Sequence, residues 1–165
     1  MGTGTKRIGY EDSRLMPPRS LKDAFVTDAL SEQLKAQVDR RIIRVVSSSF
    51  GQGICRDPLH YRVPSLAVYN VEDLRHDHYV WSTPELIVEC LSPSNRKDSL
   101  ENLLKDYTRI CVPEVWFVDA DARVLSGYVL QGGSYVQDVE TSSGTVSPRR
   151  LPLVSVSVPE LWAAL

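Results

Sequence analysis

The segment LIVECL, residues 86–91, is an almost unbroken apolar run, and its length and character predict a strand buried on both faces of a sheet. Alternation along a strand places Ile87, Glu89 and Leu91 on one face, so Glu89 is an acid among hydrophobic residues. A buried carboxylate costs several kcal/mol unless a charged or hydrogen-bonding group meets it. Glu89 also lies near the C-terminal end of the strand, where α/β sheets tend to bind ligands. It is therefore either a functional acid or a structural one that caps the following SPSN turn or pairs with an arginine.

The segments on either side of this strand predict an α/β fold. A helix lies between two buried strands, which implies a right-handed crossover and a partly parallel sheet. The helix that begins after Ser20 has apolar positions at helical spacing, and Asp23 completes a capping box. The other predicted elements are strands over 42–49 and 61–70, a helix over 98–110, a strand over 112–120, a hairpin of 124–131 and 134–141, and a short closing helix over 158–165.

The composition predicts one soluble domain. The 165 residues suffice for a single hydrophobic core, with residues 1–9 expected to form a loose N-terminus. No apolar run approaches the roughly 18 residues of a membrane span, and no apolar signal-peptide stretch follows the first basic residues. We therefore expect a cytoplasmic location and no membrane partner. The three cysteines lack metal-site spacing, and Cys90 is expected to be a buried small hydrophobe.

The charge distribution gives two indications about nucleic acid. Net charge is −2, from 19 Lys and Arg against 21 Asp and Glu, whereas proteins that remain bound to nucleic acid usually show a basic excess. Local basic clusters nevertheless occur. Each is either solvated surface, which is the more frequent case, or a patch that binds phosphate groups. The clusters are Arg40, Arg41 and Arg44, then Arg96 and Lys97, then Arg149 and Arg150.

Three segments of the chain carry a resemblance to a known family. They are RVPSLAVYN at 62–70, PELIVECLSPSNRKDS at 84–99 and DYTRICVPEVWFVDA at 106–120. Together they resemble the Uma-type family of restriction endonucleases, a bacterial branch of the PD-(D/E)xK nuclease superfamily. The resemblance implies a restriction-endonuclease-like core, in which a central mixed sheet is flanked by helices. It also implies a metal-dependent site at one end of the sheet that cleaves phosphodiester bonds.

The implied site would use Mg²⁺ or Mn²⁺ and act on DNA. In such a site two carboxylates on adjacent strands hold the ion, which lowers the pKa of a bound water and stabilises charge on the phosphate. Glu89 matches the family's strand carboxylate. The other carboxylate follows the proline of a motif resembling RVPD, and that position here holds Ser65. A serine hydroxyl is uncharged and cannot replace an aspartate in neutralising the ion.

The family's lysine is also displaced in this sequence. Such a lysine assists the attacking water or steadies the transition state. The superfamily position, two residues after Glu89, holds Leu91, and the Uma-type position, four residues before Tyr107, holds Leu103. Lys105 is the remaining candidate for a catalytic role. It lies about 200° around the helix from Leu103, however, so it is expected to face solvent unless the helix is rotated.

Further positions bear on the same comparison. The segment YEDSRLMPP resembles the family's opening hairpin and makes Glu11 a candidate metal ligand, the alternative being a solvated turn acid. His60, His76 and His78 do not have the spacing of metal ligands on a rigid element, and the last two are interpreted as loop surface. Cys111 stands where the family commonly has the glycine of a helix C-cap, a left-handed position that would cost a cysteine about 1 kcal/mol.

Three functions are compatible with these observations. The leading hypothesis is a Mg²⁺-dependent endonuclease that hydrolyses DNA, with a homodimer suggested by the superfamily. The alternative is a catalytically inactive nuclease-fold domain that binds nucleic acid or a protein partner, which Ser65 and Leu103 favour. A third hypothesis, an interaction module unrelated to nucleic acid, is based on the mildly acidic net charge.

Overall fold

The computed structural model of the chain describes residues 20–47, 50–54, 60–76, 80–91 and 96–165, without the side chains of 96–99. The candidate metal ligand Glu11, the N-terminal residues 1–9, Cys55 and His78 lie outside these ranges. No helix among the described residues has the length and apolar character needed to cross a membrane.

Three helices and ten strands make up the described structure. In chain order they are α1 (Leu21–Gln37), β1 (Ile43–Ser47), β2 (Gln52–Gly53), β3 (Tyr61–Arg62), β4 (Leu66–Asn70), β5 (Leu86–Cys90), α2 (Arg96–Arg109), β6 (Glu114–Asp119), β7 (Val124–Gln131), β8 (Ser134–Thr141), β9 (Thr145–Val146), β10 (Val156–Ser157) and α3 (Val158–Ala163). The predicted helices and the β7–β8 hairpin are confirmed, with boundaries that differ by a few residues at most.

A six-stranded mixed sheet in the order β1-β4-β5-β6-β7-β8 forms the centre of the structure. Strands β5 and β6, which α2 connects, are parallel, as predicted for two buried strands joined by a helix. The other neighbouring strands are antiparallel. In the register of β4 and β5, Leu66 lies opposite Val88, so the next pair along the two chains is Ser65 and Glu89.

Each face of the sheet is covered by helix, which accounts for the continuous apolar runs in β4, β5 and β6. On one face Val26, Leu30 and Leu34 of α1 pack with α3 against alternate residues of the central strands. On the other face α2 covers the remaining alternate residues, with Tyr107 and Leu103 among its inward side chains. Glu89 shares this second face with Ile87, as the alternation predicts.

The predicted strand over 61–70 is interrupted. Residues Tyr61–Arg62 pair with Gln52–Gly53 in a separate two-stranded ribbon, and the central sheet resumes at Leu66. Pro64, which has no backbone N–H to donate, lies in the interruption. The sequence leaves an edge, a bulge or a strand start open at this proline, and the structure shows a strand that starts two residues later.

Two of the connections with left-handed backbone bear on the sequence predictions. Cys111, two residues beyond the end of α2, has a φ of 54°, which confirms the prediction that a non-glycine residue occupies the C-cap region in this conformation. Gly132 and Gly133, between β7 and β8, have φ values of 56° and 84°, as a two-residue hairpin turn requires. The glycine pair forms its turn without strain, whereas the cysteine carries a conformational cost.

Candidate active site

Glu89 is buried at the C-terminal end of β5, with 8% of its surface exposed. The phenol of Tyr107, on α2, donates a hydrogen bond to Glu89 Oε1. Burial, and then the charge of Glu89, raises the pKa of Tyr107 well above its usual value, so the phenol remains a donor at ordinary pH. The apolar strand therefore tolerates Glu89 because the covering helix supplies a buried polar group to meet it.

Ser65 lies beside this acid, at the point where the chain enters β4. It is 1% exposed, and its Oγ accepts a hydrogen bond from the backbone N–H of Cys90 at 3.0 Å. The register of β4 and β5 thus brings Ser65 next to Glu89, where the resemblance described above leads us to expect a second carboxylate. Residue 65 therefore lies beside Glu89, but its side chain is a neutral hydroxyl that is hydrogen-bonded to the backbone of β5.

Cys90 faces the opposite side of the sheet, towards α1. It is half-buried and packs against the core on that side, and its Sγ lies 3.2 Å from Thr27 Oγ1. Burial raises the pKa of the thiol, and hydrogen bonds with Thr27 and Ser65 partly offset that effect. The expected small buried hydrophobe is therefore only partly covered, and it is engaged by polar neighbours.

Three basic side chains surround Asp106, the residue before Tyr107. Arg62 on β3 lies 2.6 Å from Asp106 through both its Nε and its Nη2. His60 Nε2 and Arg109 Nη1 approach the other carboxylate oxygen at 3.7 and 3.9 Å. The charge of Arg62 also lowers the pKa of Tyr107, against the larger effect of burial.

The β2–β3 ribbon that presents Arg62 is fixed to the sheet by a buried amide. Gln52 Nε2 donates to the carbonyls of Val80 and Ser82 at 3.2 and 3.1 Å, and its Oε1 accepts from the Tyr69 phenol. Gly53 permits the close approach, because a Cβ there would lie 2.4 Å from the ring of Trp81. The sequence pattern does not single out this arrangement, since Gln52 and Tyr69 come together only in the folded chain.

The lysine position is apolar in the structure as well. Leu103 is half-buried and packs on the sheet under α2, whereas Lys105 is exposed on that helix. The exposure of Lys105 is the orientation that helical periodicity predicts. Among the described cations, Arg62 is the one whose charge lowers the pKa of Tyr107.

Glu114 shows that a buried acid need not belong to a site. It is 2% exposed at the start of β6, where Trp116 Nε1 and the backbone N–H of Arg149 each donate to it at 2.7 Å. Burial raises its pKa, and both of its oxygens are engaged by structural donors. Glu89 differs because it lies at the C-terminal end of its strand, next to Ser65.

Glu89 is the carboxylate of this cluster that could hold a divalent ion. In the described ranges no three His, Cys, Asp or Glu side chains form a metal-binding group. Mg²⁺, however, is commonly held by one or two carboxylates, with waters and substrate phosphates completing its shell. Glu89 can supply one such carboxylate, so the described residues suit a weak site rather than an all-protein cage.

Comparison with known proteins identifies the family. The Uma2 family, described as "Putative restriction endonuclease", matches residues 10–162. The fold is similar to a crystal structure from Anabaena variabilis ATCC 29413, described as a putative nuclease belonging to DUF820, with a TM-score of 0.73 at 15% identity over 90% of this chain and 84% of that one. No curated protein matches the sequence. The chain belongs to the Uma2 family of restriction-endonuclease-like proteins.

Proposed function

We propose that this protein is an endonuclease that uses Mg²⁺ or Mn²⁺ to hydrolyse phosphodiester bonds of DNA, with Glu89 as its principal catalytic carboxylate. The observation that supports this most directly is the position of Glu89, buried at the end of β5 beside residue 65 and held by Tyr107. The family description supports a nuclease function in general. The use of a divalent metal ion, the action on DNA and the roles of the individual residues are our proposal.

Glu89 would hold the ion through a carboxylate oxygen. When bound, the ion would lower the pKa of a coordinated water and offset charge on the phosphate. Tyr107 would fix the rotamer of Glu89 through its hydrogen bond to Oε1. Ser65 would contribute at most a neutral oxygen, because its Oγ already accepts the N–H of Cys90. The loss of one negative charge predicts weaker ion binding than in a two-carboxylate site.

Arg62 would supply the positive charge that the lysine provides elsewhere in the family. Its guanidinium is held by Asp106, and its charge lowers the pKa of Tyr107, the residue that donates to Glu89. A guanidinium presents several donors in a fixed plane, which suits phosphate oxygens. It cannot give up a proton in proteins, so its role would be to hold and stabilise a phosphate rather than to act as a base.

Plasmid nicking tests the proposal. The purified protein should nick plasmid DNA with Mg²⁺ or Mn²⁺ and not with EDTA, and Glu89→Ala should abolish the nicking. Glu160→Ala, which removes an exposed acid on α3, is the matched control and should retain full activity. Calorimetric titration of Mn²⁺ should show binding to the wild type that Glu89→Ala loses. Nicking that survives Glu89→Ala would mean that another site or a contaminant is responsible.

A second candidate function is supported by Ser65 and Leu103, which replace the two other charged groups of the family's site. On this alternative the domain is catalytically inactive and binds nucleic acid or a protein partner. The double variant Ser65→Asp, Leu103→Lys restores both charges and should create or raise metal-dependent nicking if those two changes caused the loss. No gain in a folded double variant would count against that explanation.

The homodimer that the superfamily suggests is also part of the proposal. Sedimentation velocity, with and without a DNA duplex, would distinguish a dimer from a monomer. A monomer in both conditions would contradict it.

A further inference from the structure

The ion pair of Arg62 and Asp106 joins β3 to α2, and it is more buried than the other ion pairs of the described residues. Arg62 Nε and Nη2 each lie 2.6 Å from Asp106 Oδ2. The side chain of Asp106 is 10% exposed, less than that of the acid in any other described ion pair. Loss of one partner matters far more in a buried pair than at the surface. The orientation of Arg62 therefore depends on Asp106.

Both members of the pair are close in sequence to residues of the Glu89 site. Asp106 directly precedes Tyr107, which donates to Glu89 Oε1. Arg62 lies three residues before Ser65, which is next to Glu89 in the sheet register. The charge of Arg62 also lowers the pKa of Tyr107. Consecutive residues of α2 thus hold the carboxylate of the site and a guanidinium whose charge reaches Tyr107.

Asp106 divides its two carboxylate oxygens unequally among its basic neighbours. Oδ2 meets Arg62 at 2.6 Å, whereas Oδ1 lies 3.7 Å from His60 Nε2 and 3.9 Å from Arg109 Nη1. The two longer separations exceed the length of a hydrogen bond. Arg62 is therefore the neighbour whose direction Asp106 determines.

The contact with Asp106 leaves one edge of the guanidinium available. Arginine has five N–H donors in one plane, and the contact with Oδ2 engages the Nε–H and the nearer N–H of Nη2. The other three donors belong to Nη1 and to the far side of Nη2. The side chain of Arg62 is 35% exposed, so a ligand can reach it. Two parallel N–H groups on one edge match two oxygens of a phosphate.

We propose that Asp106 is a positioning residue, which orients Arg62 so that its Nη1–Nη2 edge meets a phosphate of DNA at the Glu89 site. This inference rests on the proposed function for its ligand. Asp106 itself would not touch the DNA, because its carboxylate is bound by Arg62 and would repel a phosphate. A purely structural Asp106, which only ties α2 to β3, would affect stability and would have no effect on activity that depends on Arg62.

A double-mutant cycle on plasmid nicking separates these two roles. The four proteins are the wild type, Asp106→Asn, Arg62→Gln and the double variant. They are assayed with Mn²⁺ at a temperature where circular dichroism shows each of them to be folded. The matched control is Asp138→Asn, which removes the partner of Arg149, a surface arginine that is also bound through Nε and Nη2.

Asp106→Asn should lower kcat/KM by roughly tenfold or more, because misplacing a positioned group by about 1 Å can cost roughly a hundredfold. In the Arg62→Gln background the same substitution should change kcat/KM by no more than about twofold, since two residues that act through one contact are not additive. The control should also stay within about twofold of the wild type. Equal losses in the two backgrounds, or full activity in Asp106→Asn, would overturn the inference.

Arg62→Lys tests the geometry in a protein that retains Asp106. Lysine keeps the positive charge but lacks the planar fork of donors. We expect kcat/KM to fall by roughly tenfold or more, as it does when Asp106 no longer orients the arginine. Wild-type activity in Arg62→Lys would show that charge without orientation is enough, which contradicts a positioning role.

Nuclear magnetic resonance gives a second readout, which needs no cleavage. The Nε–H signal of Arg62 is identified by its absence in Arg62→Lys. In EDTA, a short DNA duplex should shift this signal in the wild type. Exchange of this N–H with water should be faster in Asp106→Asn, because a hydrogen bond to a charged acceptor is stronger than one to a neutral amide. A signal that the duplex leaves unmoved, or an unchanged exchange rate in Asp106→Asn, would refute the role.

The two readouts distinguish this inference from the proposed function. If no preparation nicks plasmid while the duplex shifts the Arg62 signal more in the wild type than in Asp106→Asn, the positioning role stands and the catalytic proposal fails. If Glu89→Ala abolishes nicking while Asp106→Asn and Arg62→Gln lose activity independently of each other, the catalytic proposal stands and the positioning role fails.

Discussion

Replacement of Tyr107 by Phe tests the contact on which the buried state of Glu89 depends. The substitution removes one hydroxyl from a fully buried side chain and leaves the ring in place. It deletes the hydrogen bond to Glu89 Oε1 and leaves a carboxylate that is 8% exposed without that donor. Hydrogen bonds to charged groups contribute about 1.5–3 kcal/mol, so we expect Tyr107→Phe to lower the free energy of unfolding by about 2 kcal/mol. For a domain of this size, the melting temperature should fall by about 4–8 °C.

Urea denaturation followed by tryptophan fluorescence measures this change, with Tyr128→Phe as the control. Tyr128 is half-buried on β7, so loss of its hydroxyl should cost less than about 0.5 kcal/mol. A Tyr107→Phe protein as stable as the wild type would show that the phenol does not stabilise Glu89, and the reasoning about the site would be wrong.

Three further outcomes are expected. Burial raises the pKa of Tyr69 above its usual value of 10, so the stability that the neutral phenol contributes is present below pH 10 and is lost as pH rises above it. Urea denaturation between pH 9 and 11 should therefore show a smaller fall in the free energy of unfolding for Tyr69→Phe than for the wild type. Cys111→Gly should raise the free energy of unfolding by up to about 1 kcal/mol, because glycine adopts a φ of 54° without strain, and an unchanged or lower value would contradict this. Asp106→Asn should destabilise the fold by about 1–3 kcal/mol, since Arg62 loses its charged partner. Calorimetric melting at neutral pH measures this change. Asp121→Asn, at the exposed ion pair with Lys22, is the control and should cost under about 1 kcal/mol.

Local patterns in the sequence predict most of the fold. The capping box of Ser20 and Asp23 starts α1 as expected, and the Gly132–Gly133 pair forms the β7–β8 turn. These features depend on residues within a few positions of one another, so a short stretch of sequence is enough to predict them. The alternation in β5 likewise predicts the face on which Glu89 lies, and helical spacing predicts that Lys105 is exposed.

Contacts between distant residues could not be predicted in the same way. Arg62 and Asp106 are separated by 44 residues, and the Tyr107–Glu89 bond spans 18. Which polar partners meet depends on how α2 and the β2–β3 ribbon pack on the sheet, and no local pattern encodes that packing. The position of Tyr107 is one sequence feature that indicates such a contact, because a tyrosine at an inward position of a helix usually has a buried hydrogen-bond partner for its hydroxyl.

The two short ribbons, β2–β3 and β9–β10, were missed for a related reason. Each strand in them has two residues, too few for an alternating pattern to be visible. The predicted strand over 61–70 also joins two elements that belong to different sheets. Pro64 indicated the interruption without deciding which structure replaced the continuous strand.

We have proposed that Glu89 is a ligand of a divalent ion at the end of β5. Anomalous scattering from a crystal soaked in Mn²⁺ tests it directly, because the signal locates the metal without reference to activity. We predict a peak at roughly 2.1 Å from a carboxylate oxygen of Glu89, on the side of the sheet that α2 covers. A well-ordered Glu89 without a peak, or a peak confined to other residues, would contradict the account.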